Sequence, residues 1–148
     1  MEFKYYQLSM EGRREIMDKL RELLKGEEGV LLAYVHGGFL RREFFRDVDL
    51  ALWVEDPDRS YYYAVELAVR LQLEVGLPVD VQVLNEAPLP FRYRVLTEGV
   101  PILSRDEGLR ARLEEVTVRQ YLDLRYLLRS MSGNDLNDCS NLYNSDER

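Results

Sequence analysis

The stretch Val35-His36-Gly37-Gly38-Phe39-Leu40-Arg41-Arg42-Glu43-Phe44-Phe45-Arg46-Asp47-Val48-Asp49-Leu50 decides how the chain reads. It closes one apolar run, 29–35 (GVLLAYV), and opens another, 48–54 (VDLALWV). Short apolar runs bounded by turn residues read as buried strands. The diglycine at 37 and 38 ends the first run, and glycine lets the backbone come close to a bound group. A short helical or looped segment follows. If a helix starts there, its leading N–H groups have no intrahelical acceptor and make a site for phosphate. Residues i and i+2 of a strand point to the same face, so Asp47 and Asp49 aim two carboxylates at one place. The same alternation puts Asp49, Ala51 and Trp53 on one face and Val48, Leu50, Leu52 and Val54 on the other.

Two carboxylates on one face repel unless a cation lies between them. Mg²⁺ suits the pair, because it takes oxygen ligands and binds through one or two carboxylates plus substrate phosphates. A third acid, Asp80, opens a later apolar run, 79–84 (VDVQVL). If that strand pairs beside the Asp47–Asp49 strand, Asp80 joins the cluster. Three acids can serve two metal ions that clamp the attacking and leaving oxygens of a phosphoryl transfer.

Outward from this centre, residues 10–25 read as an amphipathic helix with Ser9 as N-cap and Gly26 as its stop. Residues 55–60 form a turn, 60–75 a helix closed by Gly76, 89–98 a helix, 100–103 a short extended piece and 105–130 a long helix. Strand and helix patterns alternate, which predicts an α/β (α+β) fold: a small mixed β-sheet with helices mainly on one face. The domain is expected over residues 1–130. From 131 to 148 the composition turns polar and rich in Asn and Ser, without periodicity, so a disordered tail is expected there.

Bulk properties narrow the function classes. The 148 residues suit one domain with a real core. The net charge of −7 argues against a general nucleic-acid binder, which carries a basic face, so nucleic acid ranks low among partners. One cysteine, Cys139, excludes an intrachain disulfide. No apolar run reaches the ~18 residues a membrane span needs, and MEFKYYQLSM has no apolar signal region. The expected location is therefore cytoplasmic, with no membrane partner.

Gly37-Gly38, eight intervening residues, Asp47-Val48-Asp49 and a later strand-borne Asp80 resemble the nucleotidyltransferase superfamily of DNA polymerase β, in particular its minimal nucleotidyltransferases. In order of elements the resemblance covers roughly residues 10–130. It implies a nucleotidyltransferase-like fold and an NTP:acceptor reaction that releases pyrophosphate. It further implies that Gly37 and Gly38 hold the triphosphate, that Asp47 and Asp49 bind metal, and that Asp80 is the third acid and the base. Mg²⁺, as two ions, and ATP or another NTP are the implied cofactor and substrate. Minimal nucleotidyltransferases are often encoded beside a helical partner of the HEPN type. The resemblance thus implies an antitoxin that moves AMP onto a partner tyrosine. Two alternatives stay open: a small-molecule (aminoglycoside-like) nucleotidyltransferase, and a non-catalytic antitoxin that acts by contact alone. A homo-oligomer is also left open. Many members carry Ser where Gly38 stands and Gly where Arg42 stands.

The remaining candidates divide more evenly. Arg41 and Arg42 suit phosphate through bidentate pairing, or balance neighbouring acids. Arg46 reads as a solvated counter-charge, and His36 as a packed or solvent-facing side chain at the mouth. Trp53 reads as core, Tyr61, Tyr62 and Tyr63 as helix surface and core, and Arg92, Tyr93 and Arg94 as a charged helix face.

Overall fold

The structure, a computed structural model, describes residues 4–131. All but the first residue of the expected tail, and with it Cys139, lies outside the described residues. The chain runs β1 (Tyr6–Gln7), α1 (Met10–Lys25), β2 (Val30–His36), α2 (Gly38–Arg41), β3 (Phe44–Phe45) and β4 (Val48–Val54). A 3₁₀ turn (Pro57–Arg59) and a π-helical stretch (Tyr62–Leu67) lead into α3 (Ala68–Val75). Then come β5 (Val79–Val83), α4 (Leu89–Glu98), β6 (Val100–Ser104) and α5 (Glu107–Arg129).

Four strands form a mixed sheet in the order β5-β4-β2-β6. β2 pairs antiparallel with β4 and with β6, while β5 lies parallel to β4. A parallel pair needs a crossover, and the helical segment that ends in α3 supplies it. β2 and β4 are central, which explains why their sequences are apolar on both faces rather than alternating. A separate two-stranded ribbon joins β1 to β3 through Tyr6↔Phe45 and Gln7↔Phe44. Two-residue strands carry no sequence period, and this ribbon was not foreseen.

The larger apolar core lies on one face of the sheet, where Leu20 and Leu24 of α1 and Leu71 of α3 meet Val35, Leu50, Leu52 and Val81. Leu20 and Leu24 are one helical turn apart and wholly buried, each contributing about 1.5–3 kcal/mol. The opposite face holds a smaller cluster of Leu32, Tyr34, Ala51, Val95 and Leu96, with Trp53, Leu109 and Leu113 against it. Tyr34 spans that cluster and donates its hydroxyl to Glu114 Oε1 at 2.8 Å, tying α5 to β2.

Local chemistry sets the element ends. Ser9 Oγ accepts from Gly12 N at 3.0 Å, as an N-cap should. Gly76 closes α3 in the left-handed conformation, φ 76°. Asp106 caps α5 by accepting from Leu109 N at 2.9 Å. Asn85 closes the end of β4, its Oδ1 accepting from Val54 N and its Nδ2 donating to Val54 O, both at 2.9 Å. No helix among the described residues is long and apolar enough to cross a membrane.

Candidate active site

Strand register builds the site. β2 pairs His36 with Asp49, and β4 pairs Asp49 with Asp80, so three polar residues stand abreast across three strands at one end of the sheet. Asp47 lies just before β4, two residues from Asp49 and on its face. One carboxylate oxygen from each of Asp47, Asp49 and Asp80 lies within 4.8 Å of the others.

The diglycine sits directly against this cluster. Gly37 has φ 80°, a conformation that L side chains rarely adopt. A Cβ there would meet Asp49 Oδ2 at 2.3 Å, so this position requires glycine both for its backbone and for its space. Gly38 then opens α2. A Cβ on Gly38 would meet only the Arg42 side chain, its nearest atom Cδ at 3.4 Å, an ordinary contact.

The electrostatics record three acids crowded together. Asp49 is 9% exposed. Burial first, then the charges of Asp47 and Asp80, push its carboxyl up to about 7, with Arg46 opposing. Burial and the Asp80 charge also raise Asp47, against Arg46 and His36. Carboxylates that resist ionisation in each other's presence are what a divalent cation relieves. The oxygen donors and their spacing therefore fit Mg²⁺.

A second set of contacts surrounds Asp80. Gln82 Nε2 donates to Asp80 Oδ2 at 2.7 Å, and Gln82 Oε1 lies 3.0 Å from His36 Nε2. An amide that donates to Asp80 offers its oxygen to His36, which calls for a proton on Nε2 of the ring. Burial lowers the His36 pKa, Arg94 adds to the fall, and Gln82 and Asp47 oppose it. The ring packs edge-on against Phe91 at 5.5 Å. Gln82 escaped the reading of the sequence. The signal was present, since Gln82 follows Asp80 by two residues on a strand and so shares its face.

Other candidates fall elsewhere. Arg41 turns to the end of α4, with Nη2 3.6 Å from Glu98 Oε2 and 3.4 Å from Glu98 O. Arg42 is exposed and lies against Gly38. Trp53 packs in the smaller core. Tyr63 is buried, Tyr62 donates to Glu27 at 2.9 Å, and Tyr61 is exposed. Tyr93 stacks on Tyr121 with ring centroids 3.9 Å apart, joining α4 to α5.

Acids from adjacent strands, gathered beside a glycine turn on a small mixed sheet, form the kind of arrangement on which metal-assisted phosphoryl or nucleotidyl transfer can be built. Residues 18–108 match the family described as Polymerase beta, Nucleotidyltransferase, and the chain belongs to that family. No curated protein matches it significantly. Among solved structures, the chain is similar to one in the toxin–antitoxin MntA–HepT. There the TM-score is 0.61 and the identity 20%, over 79% of this chain and 93% of the other. It is also similar to a chain in the tri-AMPylated Shewanella oneidensis HEPN toxin in complex with MNT antitoxin. That match has a TM-score of 0.62 at 20% identity, covering 80% of this chain and 93% of the other. A third match is a toxin–antitoxin with AMP-PNP, at TM-score 0.63 and 21% identity, over 77% and 93% of the two chains. At such identities the likeness shows the fold.

Proposed function

We propose that the protein is a cytoplasmic, Mg²⁺-dependent nucleotidyltransferase that moves AMP from ATP to an acceptor hydroxyl, a tyrosine of a HEPN-type toxin, and so acts as an antitoxin. The observation that carries the reading is the meeting of Asp47, Asp49 and Asp80 oxygens within 4.8 Å beside Gly37. The solved complexes of toxin with antitoxin, one of them tri-AMPylated and one holding AMP-PNP, support the choice of partner and nucleotide.

Asp47, Asp49 and Asp80 would hold the metal as two ions, which when bound neutralises the acids and the phosphate charge. The main-chain amides at Gly37 and Gly38 receive the β- and γ-phosphates. Arg42, whose side chain lies beside Gly38, and Arg41, which now contacts Glu98, are the arginines assigned to those phosphates. Asp80 takes the proton of the acceptor hydroxyl, and Gln82 fixes its carboxylate by occupying Oδ2. The acceptor oxygen bonds to the α-phosphorus, the bond from that phosphorus to the bridging oxygen breaks, and pyrophosphate leaves. An open groove of about 570 Å³ is lined by Tyr61, Val65, Gln82 and Phe91, and Gln82 ties it to Asp80 through the 2.7 Å hydrogen bond, so the acceptor is assigned to this side of the site.

The test is incubation with the HEPN-type partner and labelled ATP. Label on the α-phosphate should enter the partner, label on the γ-phosphate should leave as pyrophosphate, and Asp47→Asn should transfer neither. Transfer at the wild-type rate by Asp47→Asn, or γ-label in the partner, refutes the mechanism.

A further inference from the structure

Arg13 and Arg105 each donate to four main-chain carbonyls, and they do so near opposite ends of β2. Arg105 serves the end away from the acids. It donates Nε to Val30 O at 2.8 Å, and Nη2 to Leu24 O, Lys25 O and Glu27 O at 3.1, 2.9 and 3.2 Å. Arg13, in the first turn of α1, serves the end that carries the glycine turn. Its Nε donates to Leu8 O at 3.0 Å, Nη1 to Phe39 O at 2.6 Å and Arg42 O at 2.7 Å, and Nη2 to Glu43 O at 2.8 Å. The residue is only 7% exposed, and its guanidinium lies 5.1 Å from the Phe45 ring centroid and 5.8 Å from that of Phe39.

Three of those four carbonyls belong to the segment that runs from the glycine turn towards Asp47. Phe39 and Phe45 seat that segment in the larger core, but its main chain cannot satisfy all its own carbonyls. α2 is one turn long and is closed by Leu40 N to Gly37 O at 3.1 Å and Arg42 N to Gly38 O at 2.8 Å. A single turn is unstable alone, and its last carbonyls need outside donors. Asp49 and Asp80, by contrast, are fixed by the β4–β5 ladder, which does not involve Arg13.

We infer that Arg13 is a positioning residue for nucleotide binding: it sets where the Gly37–Gly38 turn stands relative to the three acids, and hence where a triphosphate meets them. The inference rests on the nucleotidyl-transfer reading. It also separates the two halves of the site, because losing Arg13 displaces the phosphate-receiving turn and leaves Asp49 and Asp80 in their ladder, with Asp47 kept beside them by the hydrogen bond from Val48 N to Pro78 O at 2.9 Å. Lysine cannot replace it, since a point charge with three donors does not span carbonyls of residues 8, 39, 42 and 43 as a planar fork does.

The experiment compares full-length Arg13→Lys with Arg105→Lys, two equivalent losses of carbonyl capping. Mn²⁺ binding is read by electron paramagnetic resonance and Mg²⁺-ATP binding by titration calorimetry. Arg13→Lys should weaken Mg²⁺-ATP by about tenfold or more while Mn²⁺ affinity stays within about twofold, and Arg105→Lys should leave both within about twofold. Phe45→Leu keeps the arginine but removes one aromatic face. It is the milder variant should Arg13→Lys not fold, and it should shift Mg²⁺-ATP in the same direction by a smaller factor. Mg²⁺-ATP affinity unchanged in Arg13→Lys, or in Phe45→Leu where that variant stands in, overturns the inference. So does a fall in both affinities by the same proportion, which a merely structural arginine would produce. A wild-type protein that binds no Mg²⁺-ATP overturns the functional reading itself, and the inference with it.

Discussion

Replacing Asp49 by asparagine should stabilise the metal-free protein at neutral and alkaline pH while removing its response to Mg²⁺. Asp49 sits 9% exposed between two other acids, and its carboxyl is pushed from 3.8 up to about 7. Because the folded value is raised, the contribution of this group to stability is whole below pH 4. It is lost progressively as pH rises through 7. At about 1.4 kcal/mol per pH unit, that interval sets a ceiling of roughly 4 kcal/mol on the penalty of carrying Asp49 ionised above pH 7. The mouth is open on the side of Asp80, and water there screens part of the repulsion, so about half the ceiling is the reasonable expectation. Asparagine is nearly isosteric and neutral at every pH. At pH 8 in EDTA, a gain of about 2 kcal/mol should appear as a rise of roughly 6–8 °C in melting temperature for a domain of this size. At pH 4 the variant and wild type should melt together. Adding Mg²⁺ should raise the wild type and leave Asp49→Asn nearly unmoved, because the ligand that gains most from the ion is gone. Scanning calorimetry at pH 4, 6 and 8, with and without Mg²⁺, reads all of this. An Asp49→Asn protein that melts below wild type at pH 8, or that gains from Mg²⁺ as much as wild type does, refutes the reasoning.

Two further outcomes follow from contacts in the structure. Gly37→Ala should lose about 2 kcal/mol or more by urea denaturation and lose Mg²⁺-ATP binding, because the new Cβ meets Asp49 Oδ2 at 2.3 Å at a φ of 80°. Gly38→Ala, which meets only the Arg42 side chain, its nearest atom Cδ at 3.4 Å, should stay within about 0.5 kcal/mol of wild type. Tyr34→Phe removes the 2.8 Å hydrogen bond to Glu114 and should lower stability by about 1 kcal/mol, with Mg²⁺-ATP affinity unchanged, as the tie lies between β2 and α5.

The sequence foretold those parts of the fold that announce themselves by periodicity or by punctuation. β4 (Val48–Val54) and α4 (Leu89–Glu98) fall at the expected bounds, and β2 (Val30–His36) is one residue displaced from the apolar run. The cluster of acids was legible for the same reason. Strand alternation pairs Asp47 with Asp49, and a third apolar run led by Asp80 has few places to go but beside them. Gln82 obeys that alternation too, but a lone amide between valines gives no hint of chemistry until His36 and Asp80 stand on either side of it. The π-helical stretch at Tyr62–Leu67 was illegible because its residues differ in no local way from those of an α-helix. Arg13 was hidden more deeply still. An arginine in the opening turn of an amphipathic helix reads as solvent-facing, and only the approach of residues 39–43, some thirty positions on, makes it a buried donor to carbonyls.

The division of the sheet into two unequal faces explains how such a site survives in a small fold. Three crowded carboxylates, one of them nearly inaccessible to water, oppose folding until a cation joins them. They lie on the face with the smaller cluster, on the side of Ala51 and Trp53. The other face carries most of the apolar core, with α1 and α3 packed over Val35, Leu50, Leu52 and Val81, and does not depend on what happens at the acids. Alternation within β4 links the two. Leu50 and Leu52 point into the large core while Asp49 and Ala51 point away from it, so the strand that holds the repelling charge is anchored by the best-packed residues in the chain. Moving the acids one residue along β4 would exchange the faces and bury both carboxylates in the main core, where no ion or substrate could reach them. The register that stabilises the strand is thus the same register that keeps Asp47, Asp49 and Asp80 at an open mouth, and neither property can be altered without the other.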